Sequence, residues 1–336
     1  MDSVTQLALG AAVGLAAMGH RTSRVKAAGW GAVCGTLPDL DVLLRAADPI
    51  LQMTTHRAES HALFYLTLVS PAIATAVAWL HSELDRLRRW WVAVWLALIT
   101  HPLLDFMTVY GTRLALPFSD HPFGVGSVFI IDPAYTVPLI AGSVAAIRMR
   151  DSSRGLRWNA AGLAVSTAYL VWGALAQQHV LSVARGALAA QGIASAEHMA
   201  TPTPFNSLLW RLVAVTPDHH YEGFYSLLDA KRYLRFDRFD RGRELHEALR
   251  DEPSVRRITH FSHGFFKMSE AAGRITITDL RMGQEPTYTF SFVVAERASP
   301  LRALSVPEQV VRRPPMARGL AWLWRRALGQ DLPPPR

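Results

Sequence analysis

The chain has 336 residues, of which 50% are hydrophobic and only 18% charged, and its formal net charge is +8. A charged share well below the roughly 25% of soluble domains argues against an ordinary soluble protein. The basic residues cluster beside apolar segments, which points to membrane topology and anionic lipid rather than nucleic acid, and a lone Cys34 excludes an intramolecular disulfide.

Asp2 precedes the first apolar stretch without a basic n-region, so no cleavable signal is expected. Leu7–Met18 is rich in Gly and Ala but, at about a dozen residues, is shorter than the roughly 17–25 of a spanning helix. Ala27–Leu44 is longer and is interrupted by Gly35, Pro38, Asp39 and Asp41. Ala62–Leu80, Trp90–Leu104, Phe129–Ile147 and Asn159–Ala176 are better candidate spans. The expected fold is therefore a mainly α membrane bundle of about five to six apolar helices, followed by a small β-rich domain outside the membrane.

Basic clusters fall at Arg21/Arg24/Lys26, at Arg86–Arg89 and at Arg148–Arg157. If these are cytoplasmic, Asp39, Asp41, His56, His61, His101, Asp105 and Asp132 share the extracytoplasmic face. Asp2 joins them if the first stretch spans. Gln177–Gln191 reads as a helix leaving the bilayer and Ser195–Pro204 as a linker. Beyond Phe205 the pattern turns to β, with period-two alternation at Arg274–Thr278 and Tyr288–Val294. Met316–Leu328 is basic, Trp-bearing and amphipathic, suited either to a membrane surface or to docking on the β domain. The expected domains are 1–176, membrane-embedded; 177–204, exit helix and linker; 205–310, β-rich; and 311–336, the tail.

Ionisable groups beside a bilayer are costly, which makes them functional candidates. His101 and Asp105 stand four apart on one helical face, so an imidazole and a carboxylate can reach one metal ion. Alone, that spacing also suits a structural hydrogen-bonded pair; beside two similar motifs it reads as metal ligation. His56 and His61 precede a span and are further candidate ligands, with Ser60 a candidate N-cap. Asp39 and Asp41 are candidates for the catalytic carboxylates, bridging metals or accepting a proton from water. Asp2, Gln6, Asp120 and Asp132 are candidates for additional ligands or for groups orienting the ligands. His219, His220, His260 and His263 read as surface or packing residues. No GxxxxGK[ST] loop or GxSxG elbow is present, which removes support for P-loop and conventional serine chemistry.

The ordered set of motifs resembles the bacterial inner-membrane family described as membrane-bound, metal-dependent hydrolases of YdjM type. It runs through Asp2–Gln6, Gly35–Asp41, His56-Arg57 with Ser60-His61, Thr100–Asp105, Tyr110–Thr112, Pro117–Asp120 and Ile131–Thr136. It continues in Pro204–Trp210 and Tyr221–Gly223, covering roughly Met1–Asp229. Some members carry His at the position of Gln6. The HxxxD helix is also similar, more weakly, to that of zinc-dependent phospholipase C and P1-type nucleases. The resemblance implies a multi-pass inner-membrane protein with an extracytoplasmic C-terminal domain. It further implies a divalent metal, zinc foremost, and hydrolysis of a phosphoester in a lipid-linked or amphiphilic substrate, with membrane lipid as partner and no nucleic acid. A metal- or proton-coupled carrier and a non-catalytic scaffold with a structural metal are the alternatives.

Overall fold

The computed structural model describes residues 1–43, 46, 48–149, 153–193, 196–230, 234–311 and 316–336. Leu44, Arg150 and Ser195, which bound or fall within segments expected above, lie outside the described residues. The chain clusters into two compact units, each described by itself. The first comprises Met1–Leu44, His56–Ala174 and Pro204–Asn206; the second comprises Arg45–Thr55, Leu175–Thr203 and Ser207–Arg336.

The first unit is helical. α1 (Ser3–Met18) starts at Asp2, whose carboxylate accepts from the Val4 and Thr5 amides, satisfying donors that a helix start leaves open. α2 (Arg24–Thr36) is capped by Ser23 and packs on α1 almost without side chains between them. A Cβ built on Gly31 would lie 2.2 Å from the Gly10 carbonyl oxygen, and one on Gly10 equally close to that of Gly31. Only glycine permits backbones to meet this closely.

A 3₁₀ turn, Leu37–Leu43, follows α2. α3 (Pro49–Thr55) clusters with the second unit, and a short 3₁₀ turn at Glu59–His61 leads into α4 (Leu63–Leu80). α5 (Leu87–Phe106) returns along α4, tied by Trp91 Nε1 to Ser70 Oγ at 2.9 Å and Trp95 Nε1 to Thr67 Oγ1 at 3.0 Å. That antiparallel register brings His101 level with His61. α6 (Pro133–Arg148) is capped by Asp132, and α7 (Ser153–Ala190) is the longest helix described. Leu15, Met18, Trp90, Leu98 and Leu139 are fully buried in this unit's core.

The expected bundle of five to six membrane-crossing helices is not what the structure shows. Among the described residues only Leu63–Leu80 and Ser153–Ala190 are long and apolar enough to cross. α1 and α6, at 16 residues each, rise only about 24 Å against a hydrocarbon core of about 30 Å. α2 is shorter still, and α5, although it has 20 residues, carries Arg88, Arg89 and Asp105. The apolar stretches in the sequence counted residues that cap, turn and line a site. On α4 and α7 large apolar side chains stay exposed, among them Leu68, Trp79, Leu80, Val171, Trp172 and Leu175.

The second unit is rich in β structure, as the alternation predicts. β1 (Glu197–Pro202), β2 (Leu209–Val215), β3 (His219–Ser226) and β4 (Asp237–Asp240) form an antiparallel sheet in that order. α8 (Arg243–Leu249) and α9 (Pro253–Phe261) precede β5 (Phe266–Ala271) and β6 (Arg274–Asp279). The expected strand across Tyr288–Val294 divides into β8 (Thr287–Tyr288), which pairs with β7 (Gly283–Gln284), and β9 (Ser291–Glu296). With β10 (Arg302–Gln309) the second sheet has the order β10-β9-β6-β5. α10 (Met316–Ala327) docks within this unit: Trp322 meets Phe224 edge-on, and the Arg326 guanidinium pairs with Asp229.

Candidate metal centre

The 3₁₀ turn after α2 separates its two aspartates. With about three residues per turn, positions two apart point in different directions. Asp39 faces His61 and His101, while Asp41 faces His56 and Ser60. The turn at Glu59–His61 presents His61 and the last turns of α5 present His101 and Asp105, all three with fully buried side chains.

Four ligand-type atoms converge. His101 Nε2 lies 3.1 Å from His61 Nε2. Asp39 Oδ1 is 3.4 Å from the His61 nitrogen and 3.3 Å from that of His101; Asp105 Oδ2 is 3.3 Å and 3.5 Å from them. The set is complete within 4.8 Å. Zinc bonds nitrogen and oxygen at about 2.0–2.2 Å in tetrahedral sites, which places neighbouring ligands about 3.3–3.6 Å apart. These separations fit such a shell.

The hydrogen bonds behind the imidazoles assign their protons. His101 Nδ1 lies 2.6 Å from the Gly35 carbonyl, which only accepts, so Nδ1 carries the proton. Ser60 Oγ donates to Asp41 Oδ2 at 2.8 Å and is therefore free to accept from His61 Nδ1 at 2.8 Å. Both Nε2 atoms then turn lone pairs toward each other and toward two carboxylate oxygens. Four such atoms facing one point, beside the Arg57 guanidinium, fit a divalent metal. Asp105 Oδ2 is buried and makes no hydrogen bond of good geometry; its neighbours are the two imidazoles and the Arg57 guanidinium.

The surrounding charges hold the carboxylates. Burial raises the Asp41 carboxyl, but contacts from His56, the Arg57 amide and Ser60 more than offset this and hold it below the usual carboxylate range. Asp105 Oδ1 pairs with the Met1 amine and accepts from Gln6 Nε2 at 3.1 Å. The Arg57 guanidinium stands 3.1 Å from Asp105 Oδ2, bonds Thr108 Oγ1 and lies over the Tyr110 ring. Arg57 itself has φ +64°, uncommon for a residue with a Cβ, and its amide is held by Asp41 Oδ2 at 3.0 Å.

Among the expected site residues, the structure thus gathers Asp39, His61, His101 and Asp105. His56 stands beside that group, with its Nδ1 2.9 Å from Asp41 Oδ1. Gln6 touches a ligand, whereas Asp2 caps α1 and Asp132 caps α6 while accepting from Tyr169. Asp120 is exposed in a loop. Ser60, expected as an N-cap, makes no cap hydrogen bond and instead links Asp41 to His61. Arg57 was the residue that spacing alone did not single out; its place inside the His56–His61 motif was the available signal. The side chains of Asp39 and His56 keep 22% and 23% exposure while those of His61, His101 and Asp105 keep none, so the centre opens on their side.

Residues 1–180, more than half of the chain, match the model of the family described as YdjM inner membrane protein. Every residue of the centre falls inside that stretch, and the expected motifs at Pro204–Trp210 and Tyr221–Gly223 fall beyond it. No curated protein and no solved structure matches the chain.

Proposed function

This chain belongs to the YdjM inner membrane protein family, and on that premise we propose that its centre is a metal-dependent phosphoester hydrolase acting on a lipid-linked or amphiphilic substrate. The observation that carries this reading is the inward convergence of His61 Nε2, His101 Nε2, Asp39 Oδ1 and Asp105 Oδ2, with both Nδ1 positions already engaged. The His₂Asp₂ donor set suits zinc. A metal held there supplies Lewis-acid stabilisation of phosphoryl charge and eases deprotonation of water near neutral pH.

The remaining steps belong to the protein. Asp41 accepts the His56 Nδ1 proton, so His56 Nε2 is available on the exposed side to take a proton from the attacking water. As the water oxygen bonds to phosphorus, the bond to the leaving oxygen breaks, and His56 returns the proton to that oxygen. Asp41 is a positioning residue, holding His56 directly and His61 through Ser60. Arg57, buried against Asp105, balances carboxylate charge.

The membrane placement follows from charge. Arg86, Arg88 and Arg89 follow α4, and Arg154 and Arg157 begin α7; by the positive-inside tendency these ends are cytoplasmic. The end of α4 that carries His61 then faces the extracytoplasmic side, in a multi-pass chain. An amphiphilic substrate suits a centre at that level.

The test is metal analysis of detergent-purified protein beside His101→Ala, with a lipid-linked phosphoester panel. Wild type is expected to carry bound zinc and to hydrolyse a panel member, and the variant to lose both. Zinc-loaded wild type inert on the whole panel would leave a structural metal and overturn the hydrolase reading.

A further inference from the structure

The second unit contains a compact set of buried charges remote in function from the metal centre. Glu222 on β3 is fully buried, and its Oε2 is held by Arg211 at 2.7 Å. Glu285 takes Lys267, His220 at 3.0 Å and the Tyr288 hydroxyl at 3.3 Å. Glu222 Oε2 and Glu285 Oε1 are thus answered within the set. Glu222 Oε1 is the exception: within the strands and loops its donor is the Glu285 amide at 3.4 Å, too long to satisfy a buried carboxylate oxygen.

Arg336 supplies what that oxygen lacks. Its Nη1 pairs with Glu222 Oε1 and donates to the Glu285 carbonyl at 3.2 Å, and its Nη2 donates to Asp237 Oδ2 at 2.8 Å. Its Cζ lies 4.8 Å from the centre of the Phe239 ring, which itself stacks on His220. Beside it lies an open cavity of about 490 Å³, walled by Arg336 itself with Phe239, Asp237, Glu285 and Pro286, and with Arg235 and Arg238 exposed at its rim. Acceptors in separate directions, matched to two nitrogens of one planar group beneath an aromatic ring, select a guanidinium over an ammonium.

We propose that this set of acceptors beneath the Phe239 ring is a guanidinium-binding site, occupied in cis by Arg336 and able to take the arginine of a peptide when Arg336 is absent. The segment that delivers Arg336 is built for the purpose. Trp322 Nε1 donates to the Leu332 carbonyl at 3.3 Å, and Pro333, Pro334 and Pro335 follow. Their fixed φ angles limit the freedom lost on docking. An arginine held this way competes at a high effective concentration with any free ligand.

The experiment uses the full chain in detergent and a fluorescent peptide carrying residues 331–336. Arg336→Ala is expected to bind the peptide saturably, at least about tenfold more tightly than wild type, whose site is already occupied. In that background Asp237→Asn and Phe239→Ala, both partly exposed walls, weaken binding without unfolding the unit; Glu222→Gln abolishes it in a protein shown to be folded. L-argininamide displaces the peptide and L-lysinamide does not. A folded Arg336→Ala protein that binds no peptide, or equal displacement by lysinamide, would overturn the proposal.

Discussion

The carbonyl oxygen of Gly35 accepts from Nδ1 of His101 at 2.6 Å. The glycine that lets α2 approach α1, where a Cβ would meet the Gly10 Cα at 2.8 Å, therefore also orients an imidazole of the candidate metal centre. Packing and chemistry share a residue.

Glycine substitutions should separate these effects. Gly31→Ala places a methyl 2.2 Å from the Gly10 carbonyl oxygen, and overpacking of this kind costs about 1–3 kcal/mol. Thermal melts should show that loss, with reduced zinc content although Gly31 touches no ligand. Gly29→Ala on the same helix meets nothing within 4 Å and should stay within about 1 kcal/mol of wild type, on the stabilising side. Equal melting temperatures for the two variants would contradict the close crossing.

Zinc content against turnover should sort the carboxylates. Asp39→Ala and Asp105→Ala remove a converging oxygen and should lose metal and activity together. Asp41→Asn and His56→Ala should keep metal while turnover falls by about 10²–10⁴, the usual contribution of a positioned proton acceptor. Metal loss in His56→Ala would instead make His56 a ligand.

Ser60→Ala cuts the link between Asp41 and His61 without touching the four converging atoms. Partners that orient ligating histidines are worth about 10–100-fold in metal affinity. Competition with a chromophoric chelator should show a weakening in that range; an unchanged affinity would return Ser60 to a local structural role.

Topology can be read by labelling single cysteines after Cys34→Ser. Asp85, 70% exposed between α4 and α5, should react as Asp85→Cys only when the cytoplasmic side is opened. Glu59→Cys, exposed at the opposite end of α4, should react from outside. The reverse pattern would turn the centre toward the cytoplasm.

Acid should weaken the second unit. Burial and the Lys267 charge push His220 down, with Glu285 opposing. Its stabilisation is therefore present above the unfolded value of about 6.5 and fades as pH falls below it. Burial pushes Glu285 up, but His220 and Lys267 prevail and hold it at about 2. Its contribution is complete above the unfolded value of about 4.3 and is lost as pH falls through about 2. Melting temperature should drop on acidification from pH 7 to 5, and His220→Gln should flatten that slope. A steeper slope in the variant would assign the acid sensitivity elsewhere.

The motifs at Asp39, His61, His101 and Asp105 were legible because metal donors at apolar segment ends are rare without purpose. Which aspartate faces the histidines was not legible, because it depends on a 3₁₀ turn that hydrophobic periodicity does not reveal. The number of membrane-crossing helices was overstated for a related reason. Gly- and Ala-rich stretches such as α1 and α2 look like spans by composition, yet the structure uses them for backbone contact beside a site. Glu222 and Glu285 escaped notice because partners brought together across a β ladder leave no spacing in sequence.

The glycine seam between α1 and α2 also orders the assembly of the centre. The two helices are neighbours in the chain, joined through residues 19–23, so their contact is of low contact order and can form early. Gln6, Gly35, Asp39 and Asp41 all ride on this pair or the turn that follows it. His101 and Asp105 arrive on α5 only after some sixty further residues have emerged. The early hairpin is thus a template that presents Asp39 and the groups that orient the later arrivals, and cation capture would be the step that certifies α5 has docked in register.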